Sequence, residues 1–97
     1  MKKQKNAIPE ESGRISSTHN TGYFRTFDLG VCAALVSSGF QLASLDRSNP
    51  KKCEFLFENR VGIEAIAEDY WADKLKINAR TFFDNVRAIK NRLYSSD

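Results

Sequence analysis

The chain has 97 residues and a formal net charge of +3. Charged residues make up 28% of the chain, hydrophobic residues 41% and aromatic residues 11%. A chain of this length forms one domain with a modest core. Because its apolar runs are shorter than the roughly 18 residues of a membrane helix and no hydrophobic segment follows its basic start, we expect a cytoplasmic protein with no membrane segment.

Charge is distributed unevenly along the chain. Residues 74–97 hold six basic and two acidic side chains, whereas residues 51–73 hold three basic and six acidic ones. Residues 1–20 hold four basic side chains against two glutamates, and residues 21–50 are balanced. The basic character therefore lies at the two ends, around a neutral and then acidic middle, which is a first indication of a polyanionic partner.

Cysteine and histidine are too few for a metal site. Cys32 and Cys53 lie far apart, and His19 is the one histidine of the chain. A zinc site needs four ligands in local pairs, so we expect neither a metal nor another cofactor. Both cysteines fall on apolar faces, which favours buried, reduced thiols over a disulfide.

Residues 1–22 are polar and charged, with few apolar side chains. Such a segment cannot bury enough apolar surface to offset the entropy lost on ordering, which predicts a flexible basic tail. Residues 23–97 then form the single folded domain.

The first half of that domain is predicted as a strand, a helix and a hairpin. "YFRTFD", 23–28, alternates like a strand. Asp28 is placed to cap a helix that ends at Gly39, a favourable left-handed stop. The helix face toward the sheet is formed by Leu29, Cys32, Ala33 and Val36.

Two further strands follow, at 40–46 and 52–58, joined by a turn that contains Asn-Pro. Cys53, Phe55 and Phe57 share one side of the second of these strands, with Leu56 on the other side. This spacing predicts an antiparallel hairpin.

Two helices complete the predicted domain. Asn59 is expected to cap a helix over about 60–73, and Asn78 one over about 79–94. "KLKIN", between them, is either an extended link or a fourth, edge strand. The inward side chains of the first of these helices are Ile63, Ile66, Ala67 and Tyr70. The predicted fold class is α+β, a small antiparallel sheet of about three strands in the order β-α-β-β-α-α, with helices packed on one face.

Little in the sequence favours catalysis. The five glycines are scattered, so no phosphate-binding loop is present, and His19 has no nucleophile or base near it in sequence. Glu64 and Glu68 lie one helical turn apart, and we interpret them as a solvated helix face. We therefore expect a protein that is not an enzyme.

The last helix carries the strongest functional pattern. Phe82, Val86, Ile89 and Leu93 form one apolar stripe, and the adjacent flank interleaves rings with cations. Cations neutralise phosphates, and exposed rings stack on bases. The predicted nucleic-acid-binding residues are Arg80, Phe83, Arg87, Lys90 and Tyr94, with Lys74 and Lys76 just before the helix. Lys2, Lys3 and Lys5 would add a basic arm.

Two alternatives remain open. Phe83 and Tyr94 are also explained without a ligand, if they only widen the apolar face and the Arg87 stem lies over Phe83. In the second alternative, Trp71 with Glu64 and Glu68 forms a surface for another protein, as in an adaptor or an inhibitor of a host or mobile-element complex. A Trp71 at the edge of the core would need no partner.

The apolar and capping positions also follow a family pattern. The pattern comprises F-x-T-x-D-L at residues 24–29, Gly39-Phe40, F-x-F at residues 55–57 and A-R-x-F-F from Ala79 onward. It resembles a family of small bacterial domains of unknown function. The resemblance covers about residues 23–94 and implies a fold; it assigns no activity and no catalytic residue.

Overall fold

The computed structural model describes residues 22–95, so the predicted tail, with His19 and its lysines, lies outside the described residues. Six elements follow one another along the chain, and the predicted α+β class and element order are confirmed. They are β1 (Tyr23–Thr26), α1 (Leu29–Ser37), β2 (Leu42–Asp46), β3 (Glu54–Glu58), α2 (Ile63–Trp71) and α3 (Ala79–Tyr94).

The three strands form one antiparallel sheet in the order β1-β3-β2. Phe24 pairs with Phe57, and Thr26 pairs with Phe55. The alternation of β1 turns Phe24 and Thr26 inward and leaves Phe27, just after the strand, on the outside. The predicted hairpin is present, with an irregularity between Leu42 and Ser44 that shifts the register of β2 against β3.

One face of the sheet packs on the helices. Its inward aromatic rings join a cluster made of Phe24, Phe55, Phe57, Val31, Leu35, Ile63, Ala67 and Ile89. On the opposite face Leu56 is also buried, although it lies outside that cluster. On this outer face Arg25 pairs with Glu54 at 3.2 Å and approaches Asp46 at 3.9 Å. The outer face is therefore polar at its ends and apolar at its centre.

Helix α1 lies at the middle of the fold. The sequence predicts one inward face, but all five residues from Val31 to Leu35 are buried, with no measurable exposure. Leu29 and Val36, predicted on the inward face, are only half-buried. The helix packs on α2, α3 and β1, so it has neighbours on several sides. Ala33 and Ala34 have small side chains, which lets these neighbours approach closely.

Both ends of α1 are capped as predicted. The Asp28 carboxylate accepts a hydrogen bond from the Val31 backbone N–H at 3.1 Å. At the other end Gly39 has φ +102°, and the backbone N–H groups of Gly39 and Phe40 donate to Val36 and Leu35. This pair of bonds is the Schellman motif, which requires a left-handed residue at the glycine position.

The prediction for the start of α2 is wrong. Asn59 does not cap it; the cap position is Gly62, with φ 91°, and the helix runs from Ile63 to Trp71. The Asn59 N–H instead donates to the Gly22 carbonyl at 2.9 Å, which extends the pairing of β1 with β3 beyond Glu58. The chain must leave the sheet before it can begin a helix.

The end of α2 positions the link to α3. Asp73 has a left-handed φ of 62°, and the N–H groups of Asp73 and Lys74 donate to Tyr70 and Asp69. Residues 74–78 form an extended link, which decides between the two predictions for "KLKIN". Asn78 occupies the cap position of α3, but its side chain makes no capping hydrogen bond.

Gly30 provides a test of the packing of α1 against α2. A Cβ at this position would lie against the Tyr70 hydroxyl and 2.7 Å from its ring carbon Cζ. Ala is favoured over Gly in a helix by up to about 1 kcal/mol, but overpacking costs about 1–3 kcal/mol. We expect Gly30→Ala to lower the free energy of unfolding in urea by up to about 2 kcal/mol.

The matched background is Tyr70→Leu, which removes the far end of the ring. There the same substitution should be clearly less destabilising, because only the contact with Asp28 Oδ1 at 3.2 Å remains. A stabilising effect of Gly30→Ala in both backgrounds would show that the two helices do not approach this closely.

Candidate nucleic-acid interface on the last helix

Helix α3 has an apolar stripe and a polar flank. Ile89 is buried, and Phe82, Val86 and Leu93 are half-buried against the core, as the helical spacing predicts. Asn85 also donates to the Ser37 hydroxyl at 2.9 Å, which joins α3 to the end of α1. One side of α3 is therefore fixed by packing, and the other side faces solvent.

The exposed side carries the predicted row of rings and cations. Residues 83, 87, 90 and 94 are spaced by four, three and four positions, so they follow one line along the helix axis. We call Phe83, Arg87, Lys90 and Tyr94 the α3 row. The Phe83 side chain is 57% exposed and the Tyr94 side chain 78% exposed. Both rings therefore present area to solvent.

Within the row, Arg87 contacts its aromatic neighbour. The guanidinium carbon lies 5.7 Å from the centre of the Phe83 ring, a cation–π distance. This is the contact expected if the arginine stem lies over the ring, yet more than half of the Phe83 side chain remains open. The ion pairs of residues 22–95 include neither Arg87 nor Lys90. Both cations thus keep donors for a ligand.

The other predicted cations lie at the opposite end of the helix. Arg80 pairs with Asp84 at 3.8 Å, and its side chain is 94% exposed, so the pair is a weak one. Lys74 and Lys76 are exposed on the link before α3. Since α3 has 16 residues, these lysines are separated from Tyr94 by about 24 Å of helix.

A missed contact holds the C-terminal end of α3. The Arg47 guanidinium, just after β2, donates to the carbonyl of Leu93 at 2.9 Å and to that of Arg92 at 3.0 Å. The Arg92 carbonyl also accepts a hydrogen bond from the Ser95 backbone N–H at 3.3 Å. Carbonyls at the C-terminal end of a helix carry its partial negative charge, so a cation stabilises them. The contact brings the β2–β3 loop against the end of the helix.

A groove opens where these elements meet. We call it the C-terminal groove; its volume is about 590 Å³. Its apolar lining comes from Phe27, Leu29, Phe55, Leu93 and Tyr94, and its other lining residues are Asp28, Lys51, Lys52 and Cys53. Tyr94 therefore belongs both to the α3 row and to this groove.

Three lining residues of the groove, Phe27, Lys51 and Lys52, are not among the predicted site residues. The Phe27 side chain is 50% exposed, and the Lys52 ammonium lies 5.2 Å from its ring centre. The strand alternation that buries Phe24 and Thr26 predicts an outward Phe27, and an outward aromatic ring is the signal that would have identified it. The Lys51-Lys52 pair has no such local signal.

Trp71, predicted for a protein contact, is bonded at one edge. Its side chain is 59% exposed, and the indole Nε1–H donates to Asp28 Oδ2 at 3.1 Å. Because Asp28 also caps α1 through Oδ1, this bond ties the end of α2 to the start of α1. Glu64 and Glu68 are exposed on the same side of α2, seven and three positions before Trp71.

Two acidic groups near the site have shifted pKa values. Burial raises the pKa of the Cys32 thiol to about 12, with Arg92 opposing that effect and Cys53 adding to it. The Ser48 hydroxyl and backbone N–H donate to Asp46 and lower the pKa of that carboxyl, assisted by Arg25. Both cysteines are free thiols, as predicted, and Cys32 is buried as predicted, but Cys53 is only half-buried.

Residues 22–95 offer neither a cluster of metal ligands nor a helix that could cross a membrane. They contain no group of three or more His, Cys, Asp or Glu side chains that could hold a metal ion. In the same part of the chain, the helices lack the length and apolar character of a membrane-spanning helix.

Comparison with known proteins identifies the family. The family model DUF5659, a domain of unknown function, matches residues 21–95, and the chain therefore belongs to that family. The predicted resemblance to a family of unknown function is confirmed. Neither the curated proteins nor the solved structures gave a match.

The raised pKa of Cys32 predicts a dependence of stability on alkaline pH. Above pH 9.0, the ordinary thiol pKa, the unfolded chain loses the Cys32 proton while the folded chain keeps it up to about pH 12. The contribution of this group is therefore complete below pH 9 and is lost as the pH rises from 9 toward 12. Urea unfolding of wild type and Cys32→Ala across this range should show a steeper loss for wild type. Parallel profiles would contradict a thiol that stays protonated in the core.

Proposed function

We propose that this member of the DUF5659 family is a non-enzymatic module that binds nucleic acid through the α3 row. The observation that carries the proposal is the exposure, in one line, of two rings and two cations that form no ion pair within residues 22–95, on a helix whose other side is packed. The proposed contacts also include Arg80, Lys74 and Lys76, which extend the surface toward the start of α3.

The chemistry of the row suits a nucleic acid. Arg87 and Lys90 supply donors and positive charge for phosphates, and binding would release the counterions that phosphates hold. Phe83 and Tyr94 supply flat apolar faces on which bases stack. A packed helix would not by itself require aromatic rings on its solvent side, since exposed rings leave apolar area in water.

The distribution of charge supports the same surface. The last 24 residues hold six basic and two acidic side chains, while the acidic residues of the preceding segment include the exposed Glu64 and Glu68 on α2. A polyanion would therefore be attracted to α3 and repelled from the outer side of α2.

The proposal includes two features outside the α3 row. Lys2, Lys3 and Lys5 would act as a basic arm, since charges near a chain end can reach phosphates that the folded domain does not touch. We also propose a cytoplasmic location, where the two free thiols would stay reduced.

Removing the two cations of the row should reduce the salt dependence of binding. Each lost phosphate contact lowers the slope of log affinity against log salt by about 0.9 on duplex DNA and about 0.7 on a single strand. We therefore expect Arg87→Ala with Lys90→Ala to lower the slope by about 1.8 on duplex DNA and about 1.4 on a single strand. The measurement is fluorescence anisotropy of labelled DNA and RNA over a series of salt concentrations.

Two control variants accompany this experiment. Arg87→Lys with Lys90→Arg keeps both charges and should keep the slope. Arg60→Ala removes an exposed cation that pairs with Glu58, away from α3, and should change the slope little. An unchanged slope in the double alanine variant, with its melting temperature preserved, would rule out this surface.

A protein-interaction module is the second candidate, and the exposed Trp71 ring favours it. Trp71 shares one side of α2 with Glu64 and Glu68. Aromatic rings are enriched in protein interfaces, and the two carboxylates would complement a basic partner. The indole N–H already has a partner in Asp28, so only the ring face would be offered to another protein.

Charge reversal on α2 should separate the two candidates by opposite effects. Glu64→Lys with Glu68→Lys removes the acidic surface, which would abolish association with a basic protein. It should leave nucleic-acid affinity unchanged or increased, because the total charge becomes more positive. The measurements are DNA and RNA affinity, and the proteins that co-purify after nuclease treatment. A partner lost in this variant and in Trp71→Ala, with no nucleic-acid binding by wild type, would favour the second candidate.

A further inference from the structure

The C-terminal groove continues the α3 row beyond the end of the helix. Tyr94 is the last residue of the row and also lines the groove, and Phe27 supplies a second exposed ring to the same lining. The row alone does not use Phe27, Lys51 or Lys52.

We infer that the C-terminal groove accepts an unstacked base, so that the partner of this domain is a single-stranded nucleic acid and not a duplex. This inference rests on the proposed function and specifies its ligand. In a duplex the bases are stacked and paired, and their faces are unavailable; in a single strand a base can turn out and stack on an aromatic ring.

The lining of the groove suits a base. Leu29, Phe55 and Leu93 supply apolar surface, while the Phe27 and Tyr94 side chains are 50% and 78% exposed. The volume of about 590 Å³ lies within the range of pockets that bind small aromatic ligands. Apolar lining with exposed rings recognises the flat face of a base without requiring one particular base.

The charges around the groove suit the phosphates on either side of that base. Lys90 lies four residues before Tyr94, about 6 Å along the helix, and Lys51 and Lys52 lie on the other side in the β2–β3 loop. A single-stranded nucleic acid whose phosphates contact Arg87 and Lys90 would reach the groove at Tyr94. Its next phosphates would then lie near the two lysines of the loop.

The carboxylate in the lining is already engaged. Asp28 Oδ1 accepts from the Val31 backbone N–H, and Oδ2 accepts from Trp71 Nε1. These two bonds hold its charge toward the helix cap and the indole. The Lys52 ammonium lies over the Phe27 ring, where it can contact a phosphate while the open part of the ring remains available.

The test compares a labelled oligothymidylate of about 12 nucleotides with a duplex of the same length, a size suited to small single-strand-binding folds. Wild type should bind the single strand more tightly at equal salt. Phe27→Ala and Tyr94→Ala should each weaken single-strand binding about 5- to 150-fold, because one base loses its stacking partner. Duplex affinity should fall much less, because paired bases cannot stack on these rings, and the salt slope should not change, since no charge is removed.

Conservative variants separate stacking from a loss of folding. Phe27→Tyr and Tyr94→Phe keep a ring and should keep single-strand affinity. Val61→Ala alters a fully exposed apolar side chain outside the groove and should have no effect. Melting temperatures of the conservative variants and of Val61→Ala should remain close to that of wild type, because Phe27→Tyr and Tyr94→Phe keep the ring and Val61 is fully exposed.

Cys53 provides a second measurement in the unaltered chain. Its half-buried thiol lines the groove, whereas the Cys32 thiol is fully buried. Bound oligothymidylate should slow the alkylation of Cys53 by iodoacetamide, and the duplex should not.

The outcomes are distinguishable. Equal affinity for single strand and duplex, with normal binding by the alanine variants, would overturn the base-binding groove while leaving the α3 row to be judged by its own salt slope. No binding of either oligonucleotide would overturn both proposals. A third outcome is alkylation of Cys53 that is slow in the free protein and does not change when the oligonucleotide is added. This outcome would mean that another occupant, such as the chain's own residues 1–21, already fills the groove, and it would overturn the inference.

Discussion

The burial of α1 is the constraint on which the rest of the structure depends. Five successive residues, from Val31 to Leu35, are fully buried, so the sheet and the other two helices must cover this helix on several sides. A short helix that is buried on all sides has no solvent-exposed face, and the free backbone N–H and C=O groups at its ends need hydrogen-bond partners. Asp28 and the Schellman motif at Gly39 supply them. Asp28 then serves twice, because it also accepts the Trp71 indole N–H and so links α1 to α2.

The position of α3 follows from that arrangement. Its apolar stripe covers the remaining side of the core, and Asn85 and Arg47 hold it at two points along its length. Arg47 matters most for the site, because it satisfies the last carbonyls of α3 and brings the β2–β3 loop to the same place. The C-terminal groove is the gap left between that loop, the start of α1 and the helix end. Stability and the candidate site thus depend on the same contact.

Charge is separated among the surfaces of the fold. The outer face of the sheet neutralises Arg25 with Glu54 and Asp46, and α2 exposes carboxylates. The cations of the α3 row have no such partners among residues 22–95, and the loop lysines add to them near the groove. The carboxylates beside Arg25 would repel a phosphate, whereas Arg87 and Lys90 form no ion pair within residues 22–95. This difference is why the proposed ligand lies on α3 rather than on the sheet.

The sequence by itself determined the local features. Hydrophobic period and capping residues predicted the class, the element order, the cap at Asp28, the stop at Gly39 and the α3 stripe, because each depends on side chains within one or two turns. Tertiary structure decided the features that depend on contacts between residues distant in sequence. Helix α2 begins at Ile63 and not near Asn59, because the Asn59 backbone N–H donates to the Gly22 carbonyl and so continues the pairing of β3 with β1. The full burial of α1 and the meeting of Phe27, the loop lysines and Tyr94 likewise arise from packing between segments tens of residues apart, which no local pattern encodes.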